Sequence, residues 1–213
     1  MKKYLLSLIF VTLFATNAFA DTGHWYLKPS IGISGLSNTS GVRIDEINSD
    51  IAVTTEDGFS AGIGLGYAYN RNLSAEVSWE YRSNDTKVNL SDGSEFPDGN
   101  YASSLFFVNG VWHFNSSSQW RPYVGGGIGY VQEIDIDLES TGVEQSFSDS
   151  GQFGWQVFGG MDYKYTETIT FGGEVRYFSS GMDKLQSELP TTGFIEGLEY
   201  DTWTIGVTMT YHL

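Results

Sequence analysis

Along most of this chain apolar residues recur at every second position, with small or polar residues between them. In the last segment Trp203, Ile205, Val207, Met209, Tyr211 and Leu213 share one face, and Thr202, Thr204, Gly206, Thr208, Thr210 and His212 share the other. Leu73, Ala75, Val77, Trp79 and Tyr81 likewise oppose Ser74, Glu76, Ser78, Glu80 and Arg82. A strand sends alternate side chains to opposite faces, so each such segment is a strand with one greasy and one small-polar side. The pattern predicts eight of them, at 25–35, 59–70, 73–82, 102–114, 121–132, 151–163, 168–178 and 201–213. The joins alternate in length. Those at 70–72, 115–120 and 164–167 are short and polar, whereas 36–58, 83–101, 133–150 and 179–200 are each about twenty residues.

The amino end follows different rules. Lys2 and Lys3 precede an apolar run over 4–14, and Ala18, Phe19 and Ala20 form a small-x-small site before Asp21. Residues 1–20 are therefore expected to be a cleaved export signal, with 21–213 as one domain. Thr12, Thr16 and Asn17 interrupt the apolar run, which is too short to cross a bilayer as a helix. No later segment is apolar enough to do so, which leaves strands as the means of crossing. Unpaired strand edges cannot sit in hydrocarbon, so the first strand must pair with the eighth. The expected fold is all-β, an eight-stranded antiparallel up-and-down transmembrane β-barrel with short turns in the periplasm and long loops outside.

Composition narrows the partners. There is no cysteine, which excludes a disulfide framework, zinc–thiolate sites and cysteine nucleophiles. Without Lys2 and Lys3 the chain has 9 basic and 26 acidic residues, a net charge of −17, and 19 of the acids fall in the four long connections. Only Arg43, Lys87 and Lys184 oppose them there. A surface so anionic disfavours nucleic acid as a partner. Aromatic residues mark both ends of the strands. Trp25, Tyr67, Tyr69, Trp112, Trp120, Tyr163 and Tyr211 lie near the short turns, and Trp79, Tyr130, Trp155, Tyr177 and Trp203 near the long loops. Two such belts suit the two interfaces of a bilayer. Gly23-His24-Trp25 matches the start of a lipocalin, but the outward aromatic belts and the small-polar inner face do not suit one.

The segment Arg121-Pro122-Tyr123-Val124-Gly125-Gly126-Gly127-Ile128-Gly129-Tyr130 resembles the Pro-Tyr-x-Gly-x-Gly-x-Gly strand of the small outer-membrane β-barrel proteins, the group with OmpA-type domains and OmpX/Ail-type surface proteins. Gly206, Met209, Tyr211 and Leu213 are similar to that family's terminal signal, with Leu213 where Phe is commoner. The resemblance implies a Gram-negative outer-membrane address, contact with its lipids and lipopolysaccharide, and assembly by the barrel-assembly machinery. It brings no peptidoglycan-binding domain and no cofactor.

Two groups of residues carry candidate chemistry. Strand parity turns Lys28, Glu76, Glu80, Arg82, Asn109, Asp162, Glu174 and Arg176 inward, where opposed charges must pair, as a static plug or as a gate for small ions. In the third long connection Glu133, Asp135, Asp137 and Glu139 alternate with Ile134, Ile136 and Leu138. Unbroken parity from Val124 and Tyr130 predicts a tall hairpin, joined by the sixth strand near Phe147, with an apolar outer face and an acidic inner column. That column is a candidate interaction or cation site, although it lacks the glycine and terminal glutamate of an EF-hand loop. His24, His113 and His212 all fall near the short-turn end, far from Ser179 and Ser180, so no catalytic pair is expected. The expectation is a non-enzymatic surface protein acting through acidic loops in adhesion, host or matrix contact, or envelope integrity. The alternative is a narrow channel for ions or small solutes.

Overall fold

The two-residue alternation folds as strand wherever it occurs. The computed structural model describes residues 23–44, 48–91, 93, 95–140, 143–181, 184–187 and 193–213, so the expected export signal lies outside the described residues. Among them fourteen strands form one antiparallel sheet. They are β1 (His24–Leu36), β2 (Thr39–Ile44), β3 (Ser49–Thr55), β4 (Gly58–Ala68), β5 (Leu73–Leu90), β6 (Glu95–Phe96) and β7 (Asp98–His113). The remainder are β8 (Trp120–Ser140), β9 (Val143–Asp149), β10 (Phe153–Lys164), β11 (Ile169–Gly181), β12 (Lys184–Ser187), β13 (Phe194–Glu196) and β14 (Glu199–His212).

The hydrogen-bonded pairings close two rings that share three strands. Below, β1 pairs with β4, β4 with β5, β5 with β7, β7 with β8, β8 with β10, β10 with β11, β11 with β14, and β14 returns to β1. Each of the eight expected strands overlaps one of these. Above, β5, β7 and β8 continue upward, and β3, β2, β13, β12 and β9 complete a second ring around them. The expectation of eight strands is therefore corrected to fourteen. The long connections are largely sheet because they too carry the period of two, in Ile51 and Val53, Val88 and Leu90, and Ile134, Ile136 and Leu138, which are all buried. Closure gives the backbone groups of both rings partners and leaves few free edges.

The short turns form as their residues dictate. Asn70 Oδ1 accepts from the backbone of Asn72 and Leu73, at 2.8 and 2.9 Å, and Thr166 Oγ1 accepts from Ile169 N at 2.9 Å. These side chains mimic a turn's own backbone bonds.

One irregularity reorients the upper ring. Ser104 pairs with Glu133 while Leu105 pairs with Val131, so Gln132 is an extra residue in β8. Such a bulge slips the alternation by one position and exchanges the faces of everything beyond it. Below it Val124, Ile128 and Tyr130 are exposed outward; above it Ile134, Ile136 and Leu138 turn inward and have 0% exposure. The expected hairpin with an apolar outer face and an acidic inner column is thus inverted. The hydrophobic effect supplies the reason. Burying three such side chains is worth about 1.5–3 kcal/mol each, whereas the unslipped register would leave them in water and enclose carboxylates.

Candidate functional site

Two layers of side chains fill the interior. In the lower ring, even positions of β1, β5 and β11 face inward and bring opposite charges together. Lys28 Nζ donates to Glu174 Oε2 at 2.8 Å. Arg176 Nη2 donates to Glu174 Oε1 at 2.6 Å, and its Nη1 reaches Glu80 Oε2 at 2.9 Å. Arg82 Nε donates to Glu80 Oε1 at 2.8 Å, and Arg82 Nη1 to Thr202 Oγ1. Five charges of alternating sign therefore cross the lumen as a ladder. Glu76 lines the same space and accepts from the Tyr26 hydroxyl at 3.4 Å. All six groups are buried. Each carboxylate of the ladder holds two cations, which compensates the desolvation that a lone buried charge would suffer.

Aromatic rings enclose the ladder. Arg176 lies 5.0 Å from the Phe158 ring centroid and 5.7 Å from that of Phe107, and Arg82 lies 5.7 Å from that of Phe178. Room for these groups comes from β8, where Gly125, Gly127 and Gly129 face inward. A Cβ on Gly125 would overlap Phe158, one on Gly127 would overlap Asn109 and the Val108 carbonyl, and one on Gly129 would stand 2.7 Å from both Phe107 and Phe178. Packing is close enough that the cavity beside Lys28, Glu76, Glu80 and Arg176 measures about 10 Å³. That is space for roughly one water molecule.

The upper layer is apolar. Ile51, Val53, Tyr101, Ile134, Ile136, Leu138, Phe147 and Ile195 have 0–2% exposure and meet inside the second ring. Edge-on contacts tie the two layers together: Tyr101 to Tyr200 at 5.4 Å, Tyr200 to Phe178 at 6.0 Å, and Phe178 to Phe107 at 5.3 Å. Burial holds the Tyr101 hydroxyl well above the ordinary tyrosine pKa, with Tyr200 and Asp149 adding to the shift. On the outside of the upper ring Glu133 is exposed and Asp135 and Asp137 are half-buried; the side chain of Glu139 lies outside the described residues. Asn100, Ala102 and Ser104 stand opposite this column on β7. Among the described residues no group of three or more His, Cys, Asp or Glu is arranged to hold a metal ion.

The exterior of the lower ring is a continuous apolar band, with Ile31 at 65%, Val108 at 63% and Ile128 at 64% exposure. A polar interior inside an apolar exterior is the inverse of a soluble protein. Residues 6–211 match the family described as outer membrane protein beta-barrel domain. The chain belongs to this outer membrane β-barrel family. It is 24% identical over 186 residues to outer membrane protein W of Vibrio cholerae, covering 83% of this chain and 84% of the relative. It is 22% identical over 209 residues to outer membrane protein PagN of Salmonella typhimurium, covering 85% of each. Among solved structures it is similar to OprG of Pseudomonas aeruginosa, with a TM-score of 0.61, 13% identity, and coverage of 91% of this chain and 98% of OprG. Neisserial surface protein A is similar with a TM-score of 0.52 and 14% identity, over 86% of this chain and 95% of that one. These structural likenesses concern the fold. The protein is an outer-membrane protein of the Gram-negative type.

In this β-barrel family member the remaining expected site residues fall apart from the ladder. Asp162 sits at the short-turn end, 3.5 Å from His113 Nε2. Of the assembly-signal residues, Gly206 lies between Gly32 of β1 and Glu174 of β11, while Met209, Tyr211 and Leu213 point outward. Three features had no place in the sequence reading: the inward aromatics Phe107, Phe158 and Phe178, the apolar upper layer, and the bulge. Strand parity already turned Phe107, Phe158 and Phe178 inward, so the first was legible; the bulge was not.

Proposed function

We propose that this protein is a non-enzymatic surface protein of the outer membrane, with the lower ring as an eight-stranded transmembrane barrel and the upper ring outside the cell. Trp120 and Tyr130 are separated by ten positions on β8. At about 3.3 Å per residue and a tilt of about 40° they stand roughly 25 Å apart along the membrane normal, the height of an outer-membrane apolar band. The signal segment 1–20 would be removed on export, and the terminal strand with Gly206, Met209, Tyr211 and Leu213 would be read by the barrel-assembly machinery. The apolar band would meet lipid, and the upper wall the sugars and phosphates of lipopolysaccharide.

The observation that carries this reading is the doubly filled interior. A solute would have to part an ion-pair ladder and then an apolar layer whose members have 0–2% exposure. What remains for function is the outer wall of the upper ring. Its polar face, with Glu133, Asp135 and Asp137, suits an extracellular protein or matrix component bearing cationic groups. The ladder also supports the channel alternative in one respect: Glu80 and Glu174 each serve two cations, so partners can exchange.

Conductance of refolded residues 21–213 in a planar bilayer, beside binding of whole cells to immobilised matrix proteins, tests both. The surface reading expects a silent barrel and binding lost in Glu133→Gln/Asp135→Asn/Asp137→Asn. Repeatable conductance steps altered by Glu80→Gln, with binding unchanged in the triple variant, would replace it with the channel.

A further inference from the structure

At the short-turn end, opposite the acidic ring, the first and last strands each contribute one histidine to a single contact. His24 Nε2 and His212 Nδ1 are 3.0 Å apart although 188 residues separate them in the chain. The rings meet edge to face, with centroids 5.0 Å apart and planes inclined at 62°. The other nitrogen of His212, Nε2, lies 3.3 Å from Thr170 Oγ1 of β11. Three neighbouring strands thus meet at one imidazole pair, at the seam where the lower ring closes.

Two nitrogens that share this contact cannot both carry a proton along it, so at least one presents a lone pair. A hydrogen bond from His212 Nε2 to Thr170 would leave Nδ1 without a proton, and His24 would bind an ion through Nε2 in the tautomer that carries its proton on Nδ1. Metal-bound histidines are held in the same way, by a partner on the ring nitrogen that does not bind the metal. The spacing also fits a shared ion. Ligand nitrogens about 2.0–2.1 Å from a metal stand roughly 3.4 Å apart at a tetrahedral angle and roughly 2.9 Å apart at a right angle. His24 is exposed, so an ion from solution has access. The Asp162 carboxylate, which acts on His212 across the same end of the lumen, offsets part of the positive potential of Arg121 and Lys164. Two imidazoles and no thiolate favour a borderline divalent ion such as Zn²⁺, Ni²⁺ or Cu²⁺ over Mg²⁺ or Ca²⁺. No third described His, Cys, Asp or Glu joins the pair, so water would complete the coordination.

We propose that His24 and His212 form a transition-metal site that clasps the seam between β1 and β14 on the periplasmic side. A bound ion would link the two ends of the sheet and, by binding the folded state alone, stabilise the closed ring.

The test uses untagged, refolded protein in detergent micelles, titrated calorimetrically with ZnCl₂, NiCl₂ or CuCl₂. Saturable binding of one ion per chain is expected, together with a rise in thermal unfolding temperature that EDTA reverses. His24→Gln and His212→Gln should each weaken binding at least about tenfold, as losses around metal sites do. His113→Gln should leave it unchanged. Heat-modifiable gel migration reports whether each variant is folded, and in wild-type protein Zn²⁺ should perturb the imidazole NMR signals of His24 and His212 but not His113, independently of any substitution. No saturable binding by about 1 mM metal, or binding undiminished in a folded His24→Gln variant, would overturn the proposal.

Discussion

Replacing Ile136 by Ala tests the slipped register of β8 directly. The Ile136 side chain has 0% exposure, and its backbone neighbours are Tyr101 on β7 and Phe147 on β9, both also buried. The substitution removes three carbon groups, worth about 0.8 kcal/mol each, or about 2.4 kcal/mol of lost transfer energy. Two hydrogen-bonded neighbours hold β8 in place, so the wall cannot collapse into the space, and the residual cavity raises the expected loss to about 2.5–4.5 kcal/mol. Asp137→Ala, one position along, removes an outward half-buried side chain and should change stability by less than about 1 kcal/mol. Equilibrium unfolding in urea, followed by tryptophan fluorescence of protein in micelles, measures both. Limited proteolysis locates the loss, which should fall on the upper ring while the lower ring keeps its resistance. If Ile136→Ala costs under about 0.5 kcal/mol and Asp137→Ala costs several, the faces have not exchanged and the bulge at Gln132 is wrong.

Two further outcomes follow from the interior. Arg176→Met strips both Glu174 and Glu80 of a partner, and loss of one member of a buried ion pair costs about 3–5 kcal/mol; Glu80→Gln, which also takes the carboxylate from Arg82, should cost less in that background than in the wild type in the same urea assay, whereas simply additive costs would mean the ladder is not coupled. The raised pKa of Tyr101, whose ring lies in the upper layer, keeps its hydroxyl protonated in the native state while the unfolded chain ionises from about pH 10. Its contribution is therefore complete below pH 10 and lost as pH rises beyond it, so stability should fall steeply there. Tyr101→Phe should flatten that fall, and an unchanged slope would show that Tyr101 is accessible.

Much of this was legible in the alternation itself. The run from Leu73 to Arg82 predicted both the strand and the side chains it turns inward, because a period of two admits only two faces. The same parity turned Lys28, Glu174 and Arg176 inward. Their partners were harder to read: Lys28 and Glu76 line one cavity, yet the Lys28 hydrogen bond goes to Glu174 on the other side of β1, because stagger between paired strands sets which heights coincide. Asp162 was grouped with the ladder, yet it meets His113 at the short-turn end for the same reason. In the long connections the same period of two was legible in Ile51 and Val53 and in Val88 and Leu90, which mark strands just as clearly.

Sequence alone determined the period of every strand, the outward apolar band with its aromatic ends, the polar lumen, and membership of a barrel class, since these follow from local geometry and from the solvent each face must meet. Tertiary structure decided the second ring and which face of it is acidic. A single unpaired residue, Gln132, reverses that face, and no local preference marks it. It forms because the ring around it can then bury Ile134, Ile136 and Leu138 and keep Glu133, Asp135 and Asp137 on the outer face, a gain that exists only once the strands have closed.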